Sequence, residues 1–154
     1  MATTPQSQPQ SENSLQLRRT FAAPRDRVFR AWTDAKQFAL WFHPTPDHTT
    51  IVSQLDLKVG GKYSLEMHHK GGNVHKLSGT YQQIKPPEKL VFTWRWATDP
   101  PGQESIVSLE FHDLGNATEI LLNHGQFPSA ESREQHNQGW IGCFEQFQNY
   151  LAQS

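Results

Sequence analysis

The segment LVFTWRW at residues 90–96 constrains the fold more than any other stretch of the chain, because large apolar side chains alternate there with smaller or polar ones. Successive side chains of an extended strand point to opposite faces, so Leu90, Phe92, Trp94 and Trp96 share one side while Val91, Thr93 and Arg95 share the other. A strand that places two tryptophans on one face demands a deep apolar partner for that face. The same period of two recurs in Tyr63, Leu65 and Met67, in Leu77, Gly79 and Tyr81, in Val107, Leu109 and Phe111, and in Thr118, Ile120, Leu122 and His124. Further strands are expected from Ser14 (LQLRRTF) and around Ile51 to Leu57. Turn signals at Gly60-Gly61, Gly71-Gly72, Pro86-Pro87, Asp99-Pro100-Pro101-Gly102 and Gly115-Asn116 separate these runs, which describes an antiparallel meander with one face buried. Gly79 is expected to mark a bend or bulge.

The partner for that face is legible near the end of the chain. From about Ser129 to Gln153, Trp140, Phe144, Phe147 and Leu151 follow the spacing i, i+4, i+7, i+11, a continuous helical stripe, and Ser129 supplies a capping start after Pro128. Two shorter helices are expected after the first strand. Pro24 opens the first, where its missing N–H is harmless, and Val28, Phe29, Ala31 and Trp32 line its apolar side. Asp34 caps the second, whose apolar side is Phe38, Trp41 and Phe42 and which His43, Pro44, Thr45 and Pro46 terminate. Runs of strands bracketed by helices indicate an α+β fold in which the long helix covers a curved sheet.

Composition sets the boundaries of function. With 14 basic and 15 acidic residues the formal charge is -1, too balanced for generic attraction to nucleic acid or anionic membrane. No apolar run approaches the roughly 20 residues a membrane helix needs, and the single Cys143 cannot form an internal disulfide. With no basic-plus-apolar export signal at the start, a cytoplasmic protein is expected. Residues 1–13 are polar and aperiodic, which predicts a disordered tail ahead of one domain spanning 14–154. Five Trp, nine Phe and three Tyr in a chain only 35% hydrophobic mean that the interior is built largely of rings. Rigid rings around a concave sheet pack imperfectly, which is one way for a cavity to survive folding.

Several separated blocks, FAAPRDRVFRAWTDAKQFALWFHP, VGGKYSLEMH, GTYQQIKPPEKLVFTWRW and HNQGWIGCFEQFQNYL, resemble, in order and spacing over about residues 14–152, the START/Bet v 1-like (SRPBCC) superfamily. The nearest resemblance is to proteins like the C-terminal domain of the activator of heat shock protein 90 ATPase. That resemblance implies a helix-grip fold: six or seven antiparallel strands, two short helices after the first, and a long C-terminal helix closing a hydrophobic cavity. It implies a superfamily of lipid carriers, polyketide cyclases and proteins of unassigned role, so fold does not stand in for function. Where this family often has Gly before the Pro that follows the short helices, this chain has His43, an ionisable ring near the expected pocket mouth.

Binding of a small hydrophobic or aromatic ligand is the leading expectation, because Trp32, Trp41, Tyr63, Met67, Tyr81, Trp94, Trp96, Phe111, Trp140 and Phe144 all converge by parity on one interior. The tyrosine hydroxyls and indole N–H groups would orient a polar end of the ligand. An enzyme of cyclase or hydrolase type is the alternative, with His69 and His124 as candidate general bases on the concave face. No Ser-His-Asp spacing, nucleophile elbow or paired inward carboxylate completes such a site, so structural histidines are the expectation there. A metal site is not expected. His68, His69 and His75 flank one hairpin, but adjacent residues of a strand face opposite ways, and neither HExxH nor a Cys/His zinc spacing occurs. No cofactor is expected either, since neither Gly-Gly pair lies between a strand and a helix N-terminus, as a phosphate loop would. A co-chaperone-like interaction protein is the third class. The resembling eukaryotic activators carry a separate N-terminal domain that this chain lacks room for, which argues against a chaperone partner; a monomer or weak dimer is expected.

Overall fold

The computed structural model describes residues 13–100 and 102–153; the tail expected at the N-terminus lies, apart from Asn13, outside the described residues. Seven strands and three helices follow one another as β1 (Ser14–Phe21), α1 (Arg25–Thr33), α2 (Ala35–Trp41), β2 (His48–Leu55), β3 (Lys62–His69), β4 (Val74–Lys85), β5 (Lys89–Trp96), β6 (Ser105–Asp113), β7 (Thr118–Gly125) and α3 (Ala130–Gln153). The strands form one antiparallel sheet in the order β1-β7-β6-β5-β4-β3-β2. From β2 to β7 the chain meanders between neighbours, while α1 and α2 carry it from one edge strand to the other. This is the expected α+β helix-grip architecture.

Local chemistry explains the element boundaries. Pro24 sits at the N-cap of α1 rather than inside it, with its carbonyl accepting from Val28 N–H at 3.1 Å. Asp34 accepts from Gln37 N–H at 3.1 Å and so caps α2. Ser129 Oγ accepts from Ser132 N–H at 3.0 Å at the start of α3. β2 begins at His48, three residues before the Ile51 expected, because its backbone pairs with β3 as far as His69.

Gly79 does not carry the bulge of β4. The bulge in β4 falls between Tyr81 and Gln83, whereas a Cβ at Gly79 would overlap the Thr93 carbonyl oxygen and the Tyr63 ring. Between the Ser78–Arg95 and Tyr81–Phe92 pairs, the ladder from β4 to β5 is interrupted. There the Tyr63 hydroxyl reaches across Gly79 to donate to Thr93 O at 2.6 Å, and Thr80 N–H donates to Thr93 Oγ1 at 2.8 Å. Glycine is required here by close approach rather than by backbone conformation.

The concave face meets the stripe of α3 through rings. Phe21 packs against Phe144 and Phe147 at 5.4 and 4.9 Å, Trp41 against Phe147 at 4.3 Å, and Trp32 stacks on Trp140 at 6.0 Å. Burying a side chain of this kind contributes about 1.5–3 kcal/mol, and paired rings add about 0.5–1.5 kcal/mol. Some buried polar groups in this layer are paired, with Trp41 Nε1–H donating to Ala31 O at 3.0 Å and Thr50 Oγ1–H to Phe42 O at 2.6 Å, whereas the indole N–H groups of Trp32 and Trp94 have no partner among the described residues.

Candidate functional site

The ring-lined interior divides in two. One part is a half-open cleft of about 230 Å³ between the ends of β3 and β5 and the first half of α3. Met67, Trp94 and Trp96 form its sheet side, and His136, Trp140 and Cys143 its helix side. Pro44, Gln135 and Gly139 complete it. The other part is a void of about 10 Å³ among Trp32, Phe38, Tyr63, Tyr81, Leu90 and Phe92, hardly larger than one water molecule.

Of the ten residues expected to enclose a single space, Met67, Trp94, Trp96 and Trp140 border the cleft, while Trp32, Tyr63 and Tyr81 border the small void. Trp41 and Phe144 lie in the packed core away from both. Phe111 packs on Phe29 at 5.2 Å and contributes to a separate polar groove with Arg25, Lys85 and Glu110. The single expected space is divided because Phe42 stands between its two parts, stacked 4.3 Å from Phe38 on the side of the void and 6.1 and 5.8 Å from Trp94 and Trp140 on the side of the cleft. Shared parity places side chains on one face without saying which of them a neighbouring element covers. The Tyr63 hydroxyl, expected to orient a ligand, is spent on Thr93 O instead.

Two glycines of α3 shape the cleft in opposite ways. A Cβ at Gly142 would overlap the Pro44 carbonyl oxygen, so this position brings the α2–β2 connection against the helix. A Cβ at Gly139 would meet nothing within 4 Å, so its missing side chain is part of the open space.

Two imidazoles stand behind and beside the tryptophans, and each is held by hydrogen bonds at both nitrogens. His124 is fully buried, with Nδ1 accepting from Trp140 Nε1–H at 3.0 Å. That leaves its proton on Nε2, which donates to Ser105 Oγ at 2.7 Å. Burial drives its pKa well below the usual histidine value, and neighbouring His136 adds to the shift. His136 has the opposite tautomer. Its Nδ1–H donates to Ser132 O at 2.8 Å, and Nε2 accepts from Trp96 Nε1–H at 2.9 Å. Burial again lowers its pKa, opposed by the bond to Ser132 and by the charge of Asp99. Both rings are therefore neutral hydrogen-bond partners of indoles, and neither of them offers a free lone pair to the cleft. His136 was passed over in the sequence, although it lies one turn before Trp140, at i−4 on the same stripe.

His69 lies apart from the cleft. Its Nδ1 accepts from Gly71 N–H at 3.0 Å and its ring packs 4.8 Å from His48, so it braces the β3–β4 turn. His68 points to the other face and bonds Glu66 at 2.8 Å, as strand alternation requires. Among the described residues, no group of three or more His, Cys, Asp or Glu side chains converges to hold a metal ion. Burial pushes the Cys143 thiol well above its ordinary pKa, which removes it as a nucleophile at neutral pH. No helix among the described residues is long and apolar enough to cross a membrane.

A sheet wrapped on a long helix is an arrangement found in other solved proteins. A protein from Chromobacterium violaceum superimposes with a TM-score of 0.81 at 26% identity, over 89% of this chain and 95% of that one. An AHSA1 protein from Silicibacter pomeroyi gives 0.79 at 26% identity, over 90% and 97%. The model of the family described as activator of Hsp90 ATPase homolog 1-like protein matches residues 22–152, and the chain belongs to that family. The human activator of 90 kDa heat shock protein ATPase homolog 1 is 26% identical over 126 residues, covering 82% of this chain and 33% of that protein. The chain thus spans about a third of the length of the curated relatives it matches.

Proposed function

We propose that the domain binds a small apolar, ring-containing molecule in the cleft between β5 and α3. The observation that carries this reading is a cleft of about 230 Å³ walled by Trp94, Trp96 and Trp140, two of whose indole N–H groups are already paired inside the protein. Such a wall presents apolar surface and ring faces with little polar competition. Its volume is below the roughly 300–1,000 Å³ of sites for drug-sized ligands, which favours a molecule of one or two rings over a long-chain lipid. Three ring contacts at about 0.5–1.5 kcal/mol each, added to apolar burial, support affinity around the micromolar range. Binding is favoured over catalysis because both imidazoles next to the cleft are held neutral with their nitrogens engaged.

The test is a ligand-observed NMR screen of one- and two-ring aromatic compounds, with displacement of a hit by a second compound. Saturable binding that perturbs the Trp94, Trp96 and Trp140 resonances is expected. A screen without a saturable hit, or hits that perturb only surface residues distant from α3, would overturn the reading.

A further inference from the structure

The indole and imidazole nitrogens around the cleft can be accounted for one by one. Trp96 Nε1–H is committed to His136 and Trp140 Nε1–H to His124. The remaining nitrogens of those imidazoles are committed to Ser132 and Ser105. One buried donor is left over. Trp94 is 5% exposed, lines the cleft, and its Nε1–H has no hydrogen-bond partner among the described residues. Buried donors are nearly always satisfied, and one left without a partner marks a place where a bound group can supply what the protein does not. The lining carries no Lys, Arg, Asp or Glu. A charged ligand would therefore lose its hydration there with no counter-charge to replace it.

Resting on the cleft as the binding site, we propose that its ligand is a neutral one- or two-ring aromatic molecule bearing a hydrogen-bond acceptor, such as an aryl carbonyl oxygen, which is received by Trp94 Nε1–H. The rings of Trp96 and Trp140 are centred 5.5 and 5.1 Å from that of Trp94, so an acceptor attached directly to an aromatic ring suits a site built of rings and one unpaired donor. Nε1 is covered in this conformation, so it meets an acceptor only if the Trp94 indole shifts on binding. The ring itself becomes the reporter of the interaction.

The experiment compares 2-acetylnaphthalene with 2-ethylnaphthalene, nearly equal in shape and differing in the acceptor, by titration into the full chain with indole N–H resonances followed by NMR. Hydrophobic transfer alone favours the hydrocarbon, so tighter binding of the ketone reports the hydrogen bond. The ketone is expected to bind about tenfold more tightly and to move the Trp94 indole proton downfield while leaving Trp41 in place. Trp94→Phe should reduce the preference to within about twofold. The wild-type indole shift decides the matter even if that variant fails to fold. Equal binding of both compounds, or binding without movement of the Trp94 indole, overturns the acceptor while the cleft stands as an apolar site. Binding of neither compound overturns both.

Discussion

Trp140→Phe isolates the bond that ties α3 to the sheet behind the cleft. Trp140 is 2% exposed and donates to His124 Nδ1 at 3.0 Å, and His124 is fully buried. Phenylalanine keeps an aromatic ring against Trp32 but removes the donor, leaving a buried imidazole nitrogen unpaired, which costs about 1–3 kcal/mol. The smaller ring loses a further ~1–2 kcal/mol of burial and packing. The sum is about 2–5 kcal/mol, a large fraction of the roughly 5–15 kcal/mol that stabilises a domain, and lowers Tm by roughly 5–20 °C. Urea unfolding followed by far-UV circular dichroism measures it without relying on the altered tryptophan fluorescence. Combination with His124→Leu completes a cycle. If the hydrogen bond matters as described, the double variant is less destabilised than the sum of the singles by at least ~1 kcal/mol. Additivity within about 0.5 kcal/mol would refute the coupling.

Other outcomes follow from the same geometry. Gly142→Ala should destabilise by about 1–3 kcal/mol because the new methyl meets the Pro44 carbonyl, and unchanged unfolding midpoints would contradict that close approach. Gly139→Ala meets nothing and should gain up to ~1 kcal/mol from helix propensity while weakening binding of the cleft's ligand; unaltered binding would place the ligand elsewhere. Acid should destabilise the protein starting near pH 6.5, because His124 and His136 have folded pKa values below that ordinary value, so the unfolded chain takes up protons the fold refuses. Each such site steepens the fall by up to ~1.4 kcal/mol per pH unit, down to its folded pKa. His112 works with the opposite sign: the hydrogen bonds it donates to Glu110 and Glu119 raise its pKa, so its stabilisation is full below 6.5 and lost as pH rises, but exposure keeps it small. Unfolding midpoints that stay level between pH 7.5 and 5 would refute the assignment of neutral imidazoles.

The sequence by itself determined the strands, the three helices and the inward side of each, since period-two and period-3.6 patterns report which side chains must leave water. Leu90, Phe92 and Trp94 are buried, as are Trp140, Phe144, Phe147 and Leu151 on the helix. It also determined the caps at Asp34 and Ser129, where a short polar side chain is the natural acceptor for the first free N–H groups. Only the tertiary structure decided how the concave face is shared out. Phe42, read as part of a short helix, stands between the rings of the cleft and those of the void, and His136, one turn before Trp140, is part of the cleft wall. The reason is physical: periodicity is a property of one segment, whereas a cavity is the space that several segments fail to fill. Hydrogen-bond commitments such as Trp96 to His136 and Trp140 to His124 arise only when distant parts of the chain meet. They leave Trp94 as the indole donor of the cleft without a protein partner.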